Sequence, residues 1–304
     1  MSFEAKLSFV KSRIVAGRYR LERVLGEGAS GRVYLARDTK DRGAVWAVKE
    51  LDYTALPIDE VNEARELFSR EAELLKTLRH PSLPRVIDHF RIEDRDYLVM
   101  ERVEGPTLEG IIDGRGSALP EEKILMIGLG LLKTLDYLHN LSPPIIYRDL
   151  KPANVMVTMS GEVKLIDFGI ARVVMPSKVG DTTAYGTPGY APPEQYQGRT
   201  SPRSDVYALG MTLLRAATFY EPPDFKFTHP KSIEMNTALS LALGDTLDKM
   251  VRKDATERPS TTELILFFEA ACEISPSGQD LVVLARKSWR GLKKMLTGRK
   301  KKDN

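Results

Sequence analysis

The chain has a single cysteine among its 304 residues, Cys272, and it has no long uninterrupted hydrophobic run. One cysteine excludes a disulfide within the chain and is typical of a reducing compartment. A helix that spans a bilayer needs about 18 to 20 apolar residues, and the longest apolar run, Ile124–Leu132, is far shorter. The N-terminus also lacks the continuous apolar core of a signal peptide. These absences predict a cytoplasmic protein.

Charge is unevenly distributed along the chain. The net charge is +3, but residues 281–304 hold nine basic residues against one acidic residue. The other 280 residues therefore sum to −5, so a mildly acidic body precedes a basic tail.

The basic tail has a helical pattern of apolar residues. Its spacing predicts an amphipathic helix that could lie on an anionic membrane surface. Packing on the preceding domain and a solvated tail are alternative interpretations, and nucleic acid is a less favoured partner. The apolar positions are Leu281, Leu284, Ala285, Trp289, Leu292 and Leu296.

The hydrophobic pattern changes partway along the chain. After an N-terminal extension, 1–18, the chain is rich in predicted strands up to about residue 103, and from 104 to 272 it is mainly helical. The first part predicts one helix, Asp59–Leu78, and the strands Tyr19–Leu25, Arg32–Asp38, Ala44–Leu51, Arg85–Ile92 and Tyr97–Arg102. The second part predicts the helices Glu121–Asn140, Ser204–Phe219 and Thr261–Cys272. We interpret 19–272 as one domain of two lobes, followed by a tail, 273–304.

Polar side chains recur around two short predicted strands in the segment RDLKPANVMVTMSGEVKLIDFG. Asp149 and Asn154 precede the strand Val155–Val157, a Ser-Gly turn leads into Val163–Ile166, and Asp167 follows. A hairpin with this turn brings Asp149, Asn154 and Asp167 to one end. Carboxylate and amide oxygens are ligands that suit Mg²⁺, which usually shares them with substrate phosphates.

This segment resembles the catalytic loop and the metal-binding turn of the eukaryotic-type (Hanks-type) protein kinases. The resemblance implies an α+β fold with a small five-stranded β lobe carrying one helix and a larger, mainly helical lobe. It also implies ATP and Mg²⁺ as cofactors, and the Asp-Leu-Lys-Pro-x-Asn pattern is that of the serine/threonine branch. Asp149 would accept the proton of the substrate hydroxyl and Lys151 would neutralise the γ-phosphate. Asn154 and Asp167 would hold the metal.

A GxGxxGxV loop, LGEGASGRV, runs from Leu25 to Val33. Dinucleotide-binding folds also use GxGxxG, but there a helix follows the loop, whereas here the following residues predict a strand. By resemblance, Gly26, Gly28 and Gly31 let the backbone approach the ATP phosphates.

Lys49 lies in an apolar predicted strand, where its charge needs a partner. The following helix offers Glu71, and Glu73 is a competing acid on a different face of that helix. By resemblance, Lys49 binds the α- and β-phosphates and Glu71 orients it.

The resemblance also implies an adenine site. Met100 would be the gatekeeper, and backbone groups from Glu101 to Val103 would bond the adenine edge. Plain core packing is an alternative interpretation of the apolar residues that would line the site. These residues are Leu25, Val33, Ala47 and Met156.

Three further residues resemble structural positions of the family. Glu194, in a Pro-Pro-Glu variant of the usual Ala-Pro-Glu, would pair with Arg258, and Asp205 would hold the backbone of the catalytic loop. Tyr147 replaces a common histidine, a change that we interpret as neutral.

The segment between Asp167 and Glu194 carries two candidate phosphorylation sites, Thr182 and Thr183. Arg148 could pair with such a phosphate, and an unphosphorylated mobile loop is the alternative. The segments GTPGYAPPEQ, 186–195, and SPRSDVY, 201–207, are typical of bacterial members of the family.

Two other function classes compete with a protein kinase. A pseudokinase is disfavoured because every catalytic position is filled. A small-molecule kinase is disfavoured because GTPGYAPPE resembles a peptide platform. The weakest part of the resemblance is the proline-rich stretch 220–236, which predicts no long helix and leaves substrate docking open. Neither the protein substrate nor the oligomeric state can be predicted from the sequence.

Overall fold

The computed structural model describes residues 9–28, 31–41, 43–53, 57–167, 186–223 and 227–274. The chain divides into two compact units, and the boundary between them lies after Val103. Among the described residues, none of the helices combines the length and the apolar character that a bilayer span requires. Cys272 is a free thiol that is partly buried.

In the first unit, the residues that the structure describes form a six-stranded antiparallel sheet and one helix. Its strands are β1 (Phe9–Val15), β2 (Tyr19–Gly28), β3 (Gly31–Asp38), β4 (Val45–Leu51), β5 (Val86–Ile92) and β6 (Arg95–Glu101). They lie in the order β1-β2-β3-β4-β6-β5. The sequence predicted five strands, and that number is wrong because β1, inside the N-terminal extension, pairs with β2.

One face of this sheet packs into a hydrophobic core. Alternate residues of a strand project to the same face, so β3 contributes Tyr34 and Ala36, and β2 contributes Tyr19 and Leu21, all nearly inaccessible to solvent. The helix α1 (Ile58–Thr77) presents a buried apolar stripe at helical spacing. The predicted helix over these residues is confirmed within one residue at each end.

The described residues of the second unit are mainly helical and include one short hairpin. The hairpin strands are β7 (Val155–Val157) and β8 (Val163–Leu165). The helices are α2 (Leu108–Arg115), α3 (Glu121–His139), α4 (Pro202–Thr218), α5 (Ser232–Met235), α6 (Leu241–Met250) and α7 (Thr261–Ile274). The three predicted long helices are confirmed, and the described residues of 220–236 hold only the short α5.

Helix α4 is the central element of this unit. A capping box of Ser201 and Ser204 begins it, and every residue from Ser204 to Ala217 is buried. Phe219, in the left-handed conformation with φ 59°, ends it. A helix that is buried on all sides can hold charged groups in fixed positions, and Asp205 and Arg215 are two such groups.

Candidate active site

Asp149 is buried at the centre of a hydrogen-bonded cluster in the second unit. The amide nitrogen of Asn154 donates to the Asp149 carbonyl oxygen at 2.8 Å and to its carboxylate at 3.0 Å. Thr187 donates its hydroxyl to the other carboxylate oxygen at 2.8 Å. With 7% of its surface exposed, Asp149 is oriented by neighbours on both sides of its carboxylate.

Lys151 completes this cluster. Its ammonium donates to the Thr187 hydroxyl at 2.7 Å and lies 3.5 Å from the Asp149 carboxylate. One hydroxyl is thus bonded to a proton acceptor and to a cation at once. The arrangement can accept a proton from a hydroxyl while it stabilises negative charge on a neighbouring oxygen.

The backbone of the catalytic loop is held by Asp205, which is fully buried. Its carboxylate accepts hydrogen bonds of 2.8 Å from the backbone N–H groups of Tyr147 and Arg148. This confirms the sequence prediction for Asp205. His139 also lies 2.8 Å from this carboxylate, a contact that no local sequence pattern indicates.

Arg148 adopts a left-handed backbone conformation with φ 66°, which is unfavourable for a residue with a side chain. Its N–H is bound by Asp205, and its carbonyl accepts a hydrogen bond of 2.9 Å from the side chain of Gln195. These two bonds from buried side chains hold the strained residue directly before Asp149. Gln195 had no predicted role.

The side chain of Tyr147 links the catalytic loop to the segment of Asp167. Its hydroxyl donates to the carbonyl oxygen of Ile166 and lies 3.1 Å from that of Asp167. Asp167 has φ 60°, so this anchor acts at a second strained position. We interpreted tyrosine as a neutral replacement, and that interpretation overlooked a hydroxyl that histidine does not have.

The predicted hairpin is confirmed in its register. Val155 lies opposite Leu165, and the N–H of Ile166 donates to the Asn154 carbonyl at 2.8 Å. Asp167 therefore follows directly on the residue paired with Asn154. The hairpin brings the two predicted metal ligands to the same end, as the sequence predicted.

Glu194 forms the predicted ion pair with Arg258. Its two carboxylate oxygens lie 2.6 and 3.0 Å from the Arg258 guanidinium, whose side chain is inaccessible to solvent. Ser204 donates to the same carboxylate at 2.8 Å. Burial by itself would raise the pKa of Glu194, but the bonds from Arg258 and Ser204 outweigh it and lower the pKa.

In the first unit, strand register places four predicted nucleotide-binding residues on one face of the sheet. Val33 lies opposite Lys49, and Ala47 lies opposite Met100. Residues directly opposite each other, and residues two apart on one strand, project to the same face. Val33, Ala47, Lys49 and Met100 therefore share a face, and this face is opposite to the hydrophobic core of β2 and β3.

The glycine loop spans the end of β2 and the beginning of β3. Gly31 has φ 124°, and a β-carbon there would lie 1.9 Å from the carbonyl oxygen of Glu50. Only glycine fits this position. Gly26 and Gly28 end β2, and Leu25 is 38% exposed.

The structure distinguishes between the two candidate partners of Lys49. Lys49 is 3% exposed, and Glu71 lies partly buried on α1, whereas Glu73 is bound to Lys76 at 3.3 Å with its side chain 63% exposed. This geometry disfavours Glu73 as the partner of Lys49, and the Lys49–Glu71 pair stays a prediction.

The other residues predicted to bind adenine are Glu101, Val103 and Met156. The Glu101 N–H at the end of β6 donates to the Arg85 carbonyl at 2.8 Å. Val103 is the last residue before the boundary between the two units. Met156 lies in β7 of the second unit. Thr182, Thr183 and residues 275–304 of the basic tail lie outside the described residues.

The sequence pattern of the protein kinase domain matches residues 19–266. The chain belongs to this family. Its hairpin, its buried Asp205 and its Glu194–Arg258 pair are thus structural parts of a protein kinase domain.

Named relatives agree with this assignment. The chain is 36% identical over 272 residues to a protein of Clostridium perfringens named a probable serine/threonine-protein kinase, covering 84% of this chain and 38% of the relative. It is 31% identical over 263 residues to the serine/threonine-protein kinase PrkC of Bacillus subtilis, covering 82% and 39%. The chain spans about two fifths of the length of these curated relatives.

Solved structures show the same kinase fold. The kinase domain of Mycobacterium tuberculosis PknI matches with a TM-score of 0.69 and 27% identity, covering 88% of this chain and 99% of that one. The apo form of PpkA-294 matches with a TM-score of 0.73 and 24% identity, covering 84% and 99%. The second likeness shows the fold alone.

Proposed function

We propose that this protein is a serine/threonine protein kinase that transfers the γ-phosphate of ATP to hydroxyl groups of proteins. The observation that carries the proposal is the Thr187 hydroxyl, which is bonded to Asp149 at 2.8 Å and to Lys151 at 2.7 Å. An acceptor hydroxyl needs the same two neighbours, a carboxylate for its proton and a cation beside the phosphate. Family membership and the names of the relatives support the same activity.

In the proposed reaction, the substrate hydroxyl oxygen forms a bond to the γ-phosphorus while the bond from that phosphorus to the β,γ-bridging oxygen breaks. The hydroxyl proton passes to the Asp149 carboxylate, and ADP leaves with the electron pair of the broken bond. Lys151 stabilises the charge on the transferred phosphoryl group. The remaining work is positioning, which the bonds from Asn154 and Asp205 perform.

The donor groups at the hairpin fit a magnesium ion. Both amide protons of Asn154 are directed to Asp149, so its amide oxygen is the atom left for a ligand. Asp167 adds a carboxylate, and phosphate oxygens of ATP complete the hard oxygen ligands that Mg²⁺ prefers. When bound, the ion neutralises charge on the β- and γ-phosphates.

For ATP itself, we propose roles for residues of the first unit. Gly26, Gly28 and Gly31 would bring backbone close to the phosphates, and Lys49, oriented by Glu71, would bind the α- and β-phosphates. By resemblance to the family, the adenine would contact Leu25, Val33, Ala47, Met100 and the backbone of Glu101 and Val103. The same resemblance assigns Met156 to adenine binding. The shared sheet face of Val33, Ala47, Lys49 and Met100 supports this assignment.

The test is transfer of labelled γ-phosphate from Mg²⁺-ATP to a mixture of proteins, followed by phosphoamino acid analysis. We expect phosphoserine and phosphothreonine from the wild type and no label with Asp149→Asn. Transfer confined to small molecules, or no transfer at all, would contradict the proposal.

We further propose that phosphorylation of Thr182 or Thr183, by the enzyme itself, switches activity. The guanidinium Nε of Arg148 is buried and has no hydrogen-bond partner in the part of the chain that the structure describes, which supports a role in binding a phosphate. A Thr182/Thr183 double alanine variant should lose phosphate content and activity. If it matches the wild type in both, the loop is not a switch.

We propose residues 19–272 as the kinase domain, with lobes 19–103 and 104–272, between an N-terminal extension (1–18) and a basic tail (273–304). Cytoplasmic location, with the tail on the inner face of an anionic membrane, is the localisation that this charge pattern supports.

A further inference from the structure

Gln195 is a buried polar residue without a role in the reaction proposed above. It is 4% exposed and begins a single 3₁₀ turn, Gln195–Gln197, directly after Glu194. The ion pair of Glu194 with Arg258 anchors the chain at this point, and the Gln195 N–H donates to the Pro192 carbonyl at 3.0 Å. The backbone that carries the Gln195 side chain is therefore held in place.

The side chain of Gln195 holds the peptide group directly before Asp149. Its Nε2 donates to the Arg148 carbonyl oxygen at 2.9 Å, and that carbonyl shares one planar peptide group with the Asp149 N–H. Asp205 bonds the N–H groups of Tyr147 and Arg148, which belong to the two preceding peptide groups. Gln195 and Asp205 thus hold three successive peptide groups of the catalytic loop, and the last of them sets the direction of the Asp149 backbone.

The same amide also packs against the segment that carries Thr187. Gly186 has φ 131°, and a β-carbon there would lie 2.5 Å from the Gln195 Nε2, so a side chain at this position would displace the amide. Gly186 precedes Thr187, whose hydroxyl is bonded to Asp149 at 2.8 Å. Gln195 therefore contacts both the residue before Asp149 and the residue before its hydroxyl partner.

The contact with Arg148 requires a hydrogen-bond donor on the side chain of Gln195. A carbonyl oxygen can only accept a hydrogen bond, so the amide nitrogen of Gln195 faces Arg148. Arg148 has φ 66°, a conformation that persists only where the surroundings hold it. Without the donor, the peptide group between Arg148 and Asp149 loses a restraint, and the Asp149 carboxylate can turn away from the direction in which it meets a hydroxyl.

We propose that Gln195 is a positioning residue for phosphoryl transfer, which acts through the Arg148 carbonyl on the direction of the Asp149 carboxylate. A misplacement of about 1 Å can cost about 10²-fold in rate, so removal of the donor lowers kcat. The contact involves no residue assigned to ATP, so the KM for ATP changes little. The inference rests on the proposed kinase activity.

The test measures kcat against pH, with Mg²⁺-ATP and a serine peptide taken from a protein that the wild type labels. Gln195→Glu has nearly the same size but, at about pH 8, presents a carboxylate that cannot donate, and we expect kcat to fall about tenfold to 100-fold. Burial raises the pKa of such a carboxyl, and its protonated form can donate an O–H to the Arg148 carbonyl. The ratio of variant to wild-type kcat should therefore rise toward 1 as the pH falls to about 5.5.

Two further variants separate positioning from packing. Gln195→Met keeps the volume but has no donor at any pH, so its kcat should stay low over the whole range while the KM for ATP stays close to that of the wild type. Gln197→Glu places the same carboxylate on an exposed residue of the same turn, and this matched control should follow the wild type at every pH. Urea unfolding of each variant shows whether the protein is folded under the assay conditions.

The outcomes separate this inference from the proposed function. If the wild type transfers phosphate to no protein or peptide, the proposed function itself fails. If the wild type is active and Gln195→Met keeps kcat within about twofold, or if Gln195→Glu is impaired equally at every pH, the kinase assignment stands and Gln195 only fills space. If Gln195→Glu does not fold, the kcat and the KM for ATP of Gln195→Met decide, and a raised KM with unchanged kcat overturns the inference.

Discussion

Asp149 is oriented from both sides of its carboxylate, by the Asn154 amide and by the Thr187 hydroxyl. Asp149→Asn keeps the size of the side chain but removes the proton acceptor. Loss of a positioned base costs about 10²- to 10⁴-fold in rate, so we expect kcat to fall by that range while ATP binding changes little. Turnover assays and nucleotide titration measure the two effects. Activity within a few-fold of the wild type would remove Asp149 from its role.

Asp167→Ala is the matched comparison at the same site. This variant loses a proposed metal ligand rather than the base, so it should weaken binding of Mg²⁺-ATP as well as the rate. Equal nucleotide affinity in the two variants would argue against Asp167 as a ligand.

Tyr147 carries the second prediction. Tyr147→Phe removes only the hydroxyl that holds the carbonyl oxygens of Ile166 and Asp167. Because two partly buried carbonyls lose this donor, we expect the protein to lose about 1 kcal/mol of stability. The rate should also fall, since Asp167 loses an anchor. Unchanged unfolding in urea and unchanged kcat would show that the hydroxyl contributes nothing.

The placement of several site residues could be predicted from the sequence because they lie in one continuous motif. A single hairpin is enough to bring Asp149, Asn154 and Asp167 to one end, and a Ser-Gly turn between two apolar strands predicts such a hairpin. The contacts of His139 and Gln195 join residues more than 40 positions apart. No local sequence pattern predicts such contacts, because the partners come together only when the unit folds and buries them.

At the scale of elements, the Glu194–Arg258 pair connects the segment before α4 with the segment before α7. Removing one partner leaves the other charge buried, which costs about 3–5 kcal/mol. Arg258→Met should lower the free energy of unfolding by this amount. Arg252→Met is the control, since the Arg252–Glu257 pair is about half exposed on both sides and such pairs contribute about 0–1 kcal/mol. Similar losses in the two variants would contradict a structural role for the buried pair.

The same pair predicts a dependence of stability on pH. The pKa of Glu194 is lowered in the folded protein from its ordinary value of 4.5, so the unfolded chain takes up the proton first as the pH falls. The stabilising contribution of Glu194 is therefore complete above that ordinary value and is lost as the pH falls through the folded pKa. Glu194→Gln should flatten the curve of unfolding free energy between pH 5 and the acid limit of the measurement. An unchanged acid slope would contradict this assignment.

Strand β1 shows where sequence patterns fail for a whole element. Residues 1–18 have a mixed composition, and nothing in them predicts a strand. The strand forms because β2 offers an open edge, and its last residue, Val15, is 2% exposed against the sheet. Arg13 also pairs with the buried Glu50 of β4. This element depends on tertiary context, which outweighs weak local preference.

At the scale of the whole molecule, the units differ in how far the sequence predicts them. The helical unit has long periodic stretches and a nearly continuous motif, and its three longest helices could be placed within two residues, whereas the sequence predicted no helix at α2 or α6. A small cavity lined by Glu109, Pro152 and Arg215 could not be predicted, because it joins α2, the catalytic loop and α4. Glu109 and Asp113 are one turn apart on α2, which indicates that they share a face of the helix. From the sequence alone, such an acidic face is predicted to be exposed to solvent.

The basic tail carries the last prediction. Residues 281–304 hold nine basic side chains around apolar residues at helical spacing, including Trp289. Each basic residue near an anionic surface contributes about 1 kcal/mol, screened by salt. The full chain should therefore sediment with vesicles containing anionic lipid, less so at high salt and little with neutral vesicles. Deletion of 277–304 should abolish sedimentation and leave activity on a soluble protein intact, since α7 ends at Ile274. Equal sedimentation of both forms would reject membrane binding, and loss of activity on deletion would favour a tail packed on the kinase domain.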